Sequence, residues 1–152
     1  MWRAARPDED DLIVAMCLEL YREDPGPAPV APERVRHTLR VLRHEPSRGQ
    51  AIVLEIDQRP VGYAFLIAFW SNELGGEVCE VDELFVTREY RNQGYGRSLF
   101  TEIERGTLWR LPVAAISLGV TPDNARARRL YERLGFATVG ISMARQSGSS
   151  VT

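Results

Sequence analysis

The sequence predicts an α/β fold of the α+β type, a mixed central β-sheet flanked by helices in the order β-α-α-β-β-β-α-β-α-β. Three observations carry that prediction. Helical spacing of apolar residues (Leu12, Ala15, Met16, Leu20, then Val35, Leu39, Leu42) occupies the first third of the chain. Apolar runs bounded by turn residues occupy the middle third. A junction at Glu80–Leu99 then joins an acid-bearing strand to a helix through a glycine turn.

Residues 2–6 form a short strand closed by Pro7, and the acids at 8–11 open a helix running to about 23, where negative charge suits the dipole. Asp24–Pro32 contains four prolines and can be neither helix nor central strand, so it reads as a stiff surface loop. A second helix spans 33–45. A strand at 50–56 turns back at Asp57–Pro60 into a strand at 61–69 whose apolar run implies burial on both faces. After the turn at 71–76 come a strand at 77–86, a helix at 94–108 and a strand at 113–118. In the helix at 123–134, Ala127, Leu130, Tyr131 and Leu134 make one apolar face, with Gly135 as its stop. A last strand is expected at 136–145, then a mobile tail at 146–152.

At 152 residues the chain is read as one domain, 1–152, able to bury a core without staples. A net charge of −2 gives no reason to expect nucleic-acid binding. All 19 basic residues are arginine, so the chain has no lysine of its own to be acylated. Cys17 and Cys79 sit in a helix and a strand without a Cys-x-x-Cys pattern and read as buried reduced thiols. The run Val61–Trp70 is too short to span a bilayer, and the start lacks a signal-peptide apolar region. The expectation is a cytoplasmic protein that binds no membrane. His37 and His44 have no partner pattern for a metal or a triad.

Chemistry concentrates between residues 77 and 137. A helix beginning just after glycines offers free N–H groups and the positive end of its dipole, which suit a phosphate or pyrophosphate. Gly94 and Gly96 permit close approach to the backbone, and Arg91 and Arg97 flank the turn with positive charge. The plainer reading is a turn that lets helix and strand pack closely. Glu77, Glu80, Asp82 and Glu83 lie in a strand where burial is expensive unless they are paired or used. Strict alternation puts Glu80 and Asp82 on one face with Leu84, and Glu83 on the other with Val81 and Phe85. A β-bulge would change those faces. Such acids can take a proton from an ammonium, or simply pair with arginines. Tyr131 fits a core aromatic, and Asn124 a helix cap.

Asp82-Glu83-Leu84-Phe85-Val86 followed by Arg91-Asn92-Gln93-Gly94-Tyr95-Gly96 resembles the acyl-CoA-binding signature of the GNAT N-acetyltransferase superfamily. Asn124-Ala125-Arg126-Ala127 with Leu130-Tyr131-Glu132-Arg133-Leu134-Gly135-Phe136 is similar to that family's second conserved segment. The resemblance implies acetyl-CoA as co-substrate, no metal, and direct transfer of acetyl to a primary amine in a ternary complex. It implies that the turn Arg91, Asn92, Gln93, Gly94, Tyr95, Gly96, Arg97 and Ser98 holds the CoA pyrophosphate, through N–H groups from Gln93 to Ser98. The backbone of Leu84, Phe85 and Val86 would pair with the pantetheine arm, where the strands at 77–86 and 113–118 splay, and N–H near Phe85 would stabilise the oxyanion. Asp82, or Glu80, takes the place of the base, with Glu83 orienting the amine. Tyr131 would protonate the departing thiolate and Asn124 would bond the pantetheine. The implied acceptor is a small-molecule or protein amine, walled by the first two helices and the proline-rich loop, and a homodimer is compatible with the family. A non-catalytic acyl-CoA sensor and a protein-interaction domain are the competing readings.

Overall fold

A computed structural model describes residues 1–148. The chain divides into two compact units, Met1–Thr121 and Pro122–Thr152.

The first unit contains β1 (Trp2–Ala4), α1 (Asp10–Glu23), α2 (Pro32–His44), β2 (Gly49–Ile56), β3 (Arg59–Ser71), β4 (Gly76–Val86), α3 (Tyr95–Glu104) and β5 (Ala115–Leu118). Single 3-10 turns at Pro7–Glu9 and Arg88–Tyr90 precede α1 and α3. The strands form one sheet in the order β1-β2-β3-β4-β5, antiparallel except for the parallel β4–β5 pair. Sequence-adjacent strands are neighbours throughout, as short connections favour. The β2–β3 turn needs positive φ at Asp57 and Gln58 (48° and 64°), the geometry of a two-residue hairpin.

The central strands β2, β3 and β4 bury residues on both faces. On one, Val53, Tyr63, Phe65 and Phe85 pack with Ile13, Val14, Met16 and Cys17 of α1 and with Val35, Leu39 and Leu42 of α2. Each such aliphatic contributes about 1.5–3 kcal/mol. Asp10 pairs with Arg43 and Asp11 with Arg36, so the acids that open α1 also tie it to α2. On the other face Trp2, Ile52, Leu54 and Leu66 are buried, as are Leu99, Phe100 and Ile103 of α3. The Trp2 indole N–H donates to the Tyr95 carbonyl at 3.0 Å, joining β1 to the start of α3. At Gly62 a Cβ would lie 2.6 Å from the Phe85 carbonyl, so only glycine lets β3 approach β4 there.

In the second unit, α4 (Ala125–Arg133) has the expected face: Ala127, Leu130, Tyr131 and Leu134 are half-buried while the arginines between them are exposed. The strand expected at 136–145 is not formed. Val139, Ile141 and Met143 alternate as a strand would, yet each is at least 92% exposed. Alternation makes a strand only where a ladder partner meets it, and this segment has none among the described residues. The tail expected at 146–152 lies outside the described residues from 149 on. The helix expected to reach 108 ends at Glu104, and the following turn buries Trp109.

Candidate functional site

The register of β4 decides where its carboxylates go. Phe65 pairs with Glu83, but Leu66 pairs with Val81, so Asp82 is an extra residue with no partner on β3. This is a β-bulge, and it corrects the strict alternation. Glu83 pairs with Phe65, and Glu80 with Ile67, so both lie on the α1–α2 face, and Asp82 opens into the same cavity as Glu83. On its other edge β4 pairs with β5 only from Val78 to Val81. From Asp82 to Val86 that edge has no ladder partner among the described residues, so the bulge sits where the two parallel strands separate.

A cavity of about 310 Å³ lies against the bulge. Its wall includes Tyr21 of α1, Arg34 and Thr38 of α2, Phe65 of β3 and both carboxylates, with the proline-rich loop as a rim. The Glu83 carboxylate accepts from Tyr21 Oη at 2.6 Å and Tyr63 Oη at 2.8 Å, and lies 3.6 Å from Cys17 Sγ. Burial raises its pKa above the ordinary glutamate value; the phenol donors oppose the shift, and the neighbouring Asp82 charge adds to it. Asp82 is exposed by area at the cavity, yet lost hydration alone raises its pKa. Both acids are therefore stronger bases than solvated carboxylates. Burial and the Glu83 charge push the Cys17 thiol up to about 12, and the Tyr21 and Tyr63 phenols rise as well, so all three stay protonated near neutrality.

The other acids divide. Glu80 is half-buried and is not part of the cavity wall. Glu77 accepts from Trp109 Nε1 at 2.9 Å and pairs with Arg110, a structural tie to the loop before β5.

After β4 the chain reaches α3 through left-handed Asn92 (φ 61°) and Gly94 (φ 84°). Gly94 is the residue before the helix, and a Cβ there would meet nothing within 4 Å, so conformation rather than crowding selects glycine. The Ser98 N–H closes onto the Gly94 carbonyl at 3.0 Å, so the free first-turn donors end at Arg97. Arg97 is exposed. Arg91 is engaged internally: it donates to the Val86 carbonyl at 2.7 Å and to Glu23 at 2.8 Å, and stacks over Phe85. It braces the turn against the end of β4 and against α1.

In the second unit, Asn124 Oδ1 accepts from the Ala127 N–H at 3.1 Å and caps α4. Tyr131 meets Phe136 edge-to-face at 5.9 Å.

The sequence model of the acetyltransferase (GNAT) family matches residues 14–136. The chain belongs to that family. An uncharacterized N-acetyltransferase of Archaeoglobus fulgidus is 33% identical over 130 residues, 83% of this chain and 86% of that one. The uncharacterized N-acetyltransferase MJ1207 of Methanocaldococcus jannaschii is 34% identical over 86 residues, 55% of this chain and only 37% of that protein. Among solved structures, that of a possible acetyltransferase from Clostridium difficile 630 superposes with a TM-score of 0.81 at 21% identity, covering 99% of this chain and 98% of the other. That likeness is one of fold.

In this GNAT chain, then, the bulge gathers Asp82 and Glu83 at one cavity beside an unpaired strand edge, with the glycine turn following β4. Sequence reasoning missed Tyr21, Tyr63 and Cys17 as partners of Glu83. A signal existed: Cys17 and Tyr21 are four apart on one face of α1, and Tyr63 is the one hydroxyl in the apolar run Val61–Trp70. Among the described residues no helix is long and apolar enough to cross a membrane.

Proposed function

We propose that the protein transfers the acetyl group of acetyl-CoA to a primary amine, directly, in a ternary complex. The observation that carries this reading is the bulge at Asp82, with two carboxylates of raised pKa at a cavity that borders an unpaired strand edge. The left-handed Gly94 and the free N–H groups of the first turn of α3 suit the pyrophosphate of CoA, and the β4 edge from Leu84 to Val86 suits an extended amide-bearing arm. When bound, acetyl-CoA supplies an activated acyl group.

The chain's own residues supply the rest. An alkyl ammonium has a pKa near 10.4, so its neutral form costs about 4–5 kcal/mol at pH 7. Asp82 takes the proton, with Glu83 holding the amine and Glu80 as the alternative base. The amine nitrogen bonds to the acyl carbon as the carbon–sulfur bond breaks. The N–H near Phe85 faces the charge that develops on the acyl oxygen. Tyr131 gives its proton to the departing sulfur, and Asn124 supports the arm from the cap of α4. The acceptor is a small-molecule amine or a protein amine, and a cytoplasmic setting, a single functional domain over 1–152 and a homodimer belong to the same reading.

Calorimetric titration with acetyl-CoA followed by thiol release with a panel of amines tests it. Saturable one-to-one binding and amine-dependent release are the expected results. Binding without turnover would return the chain to an acyl-CoA sensor. No binding at millimolar ligand by folded protein would overturn the reading.

A further inference from the structure

The cavity is lined by charged side chains of both signs. Asp82 and Glu83 come from β4, while Arg34 comes from α2. On the same helix Arg36 pairs with Asp11 and Glu33 and Arg43 with Asp10, while Arg40 lies outside the cavity wall. Among the described residues Arg34 has no ion-pair partner. Arg34 makes no ion pair with Asp82 or Glu83 among the described residues, so cation and carboxylates line one cavity without neutralising each other. Arg34 also stands in the first turn of a 13-residue helix whose N-cap, Ala31, makes no side-chain cap bond. A cation there opposes the helix dipole, an arrangement that a bound anion would relieve. The same lining includes the apolar side chains of Phe65, Val35 and Val30.

Building on the acetyltransferase reading, we propose that the acceptor is a small primary amine bearing an anionic group at its other end, with Arg34 as the anion's partner. The amine meets Asp82 and Glu83, a short apolar body lies against Phe65 and Val35, and the guanidinium fork takes a carboxylate or a phosphate. A volume of about 310 Å³ is at the small end for ligand pockets, which run from roughly 300 to 1,000 Å³. It suits such a molecule better than a folded protein's side chain with its flanking backbone. Two carboxylates without Arg34 would favour diamines; the guanidinium repels the second ammonium and so selects against them.

The experiment measures thiol release by the full chain at saturating acetyl-CoA, with an alkylamine, a diamine, an ω-amino acid and an ω-aminoalkyl phosphate of matched length. The amino acid or the amino phosphate is expected to exceed the alkylamine and the diamine by about tenfold in kcat/KM, the worth of one charge-assisted hydrogen bond. Whichever of the two is faster identifies the anion. In Arg34→Ala that preference ratio falls to near one, in Arg34→Lys part of it survives, and in Arg40→Ala, on an exposed turn of α2 outside the cavity wall, it is kept. A diamine preferred over the amino acid, or a ratio that survives Arg34→Ala, overturns the assignment while leaving the acetyltransferase reading in place. No thiol release with any amine, together with no acetyl-CoA binding, overturns both.

Discussion

At the residue scale the site turns on how Glu83 is held. Its carboxylate has lost water and gained two phenol donors, so its pKa reflects a balance of burial against hydrogen bonding. Tyr21→Phe removes the 2.6 Å donor, which stabilises the charged form. The Glu83 pKa must then rise further, and the acid limb of the kcat profile move to higher pH. At neutral pH kcat is expected to fall about tenfold, roughly the value of a hydrogen bond to a charged group. An unmoved acid limb in a pH series would show that Glu83 plays no part in the titration that controls turnover. Asp82→Asn tests the base itself. It should lower kcat about 10²–10⁴-fold with acetyl-CoA binding retained, because a neutral amide cannot accept the proton. Stopped-flow and calorimetric measurements on the same sample separate the two effects.

At the scale of elements, the helices and strands of the first unit were legible because their apolar periods are clean. The helix at 33–45 and the strand at 50–56 are observed at Pro32–His44 and Gly49–Ile56, shifts of a single residue at the ends. What sequence could not supply was register. Whether β4 carries an extra residue depends on how it pairs with β3, a long-range choice that no local pattern in Val81-Asp82-Glu83 announces. The same limit misplaced the last strand, since the alternation of Val139, Ile141 and Met143 is real but strand formation also needs an edge. Arg91 looked like a phosphate ligand by proximity to the glycines; its guanidinium instead braces Val86 and Glu23. The Gly94 turn was legible because a left-handed residue before a helix leaves few choices. Gly94→Ala should cost about 1–2 kcal/mol through its φ of 84°, about 2–4 °C in Tm per kcal/mol for a chain of this size, and weaken acetyl-CoA binding. Gly75→Ala carries similar strain at φ 63° with equal free space, in the β3–β4 turn, and should lower Tm without altering that affinity. Equal affinity losses in both variants would remove the turn from the ligand site.

At the scale of the whole molecule, two groups of carboxylates give stability opposite dependences on pH. Arg3 of β1 donates to Glu9 at 2.6 Å and to Glu55 at 2.5 Å, and Arg6 reaches Glu9 at 2.9 Å, binding the start of the chain to β2 and to the entry of α1. The Arg3 hydrogen bonds hold both carboxyls below their ordinary range. A depressed pKa means that the unfolded chain takes up protons first, so this stabilisation is complete above the ordinary glutamate pKa of about 4.3 and is lost as pH falls below it. Asp82 and Glu83 have raised values, so the folded chain holds their protons to higher pH. Their ionisation therefore opposes folding as pH rises from the ordinary carboxylate range through the folded values, the opposite sign. Denaturant titrations across pH should show a maximum between these windows. Glu9→Gln should lower stability by about 1–3 kcal/mol near neutrality, because Arg3 and Arg6 lose a charged acceptor that is only 5% exposed, and should flatten the acid side alone. Asp82→Asn should raise stability near neutrality and flatten the other side, at the expense of turnover. If Asp82→Asn instead destabilised the protein at pH 7 and stabilised it at pH 4, the bulge would be held by the charge it carries, and the bulged carboxylate would belong to the scaffold rather than to the chemistry.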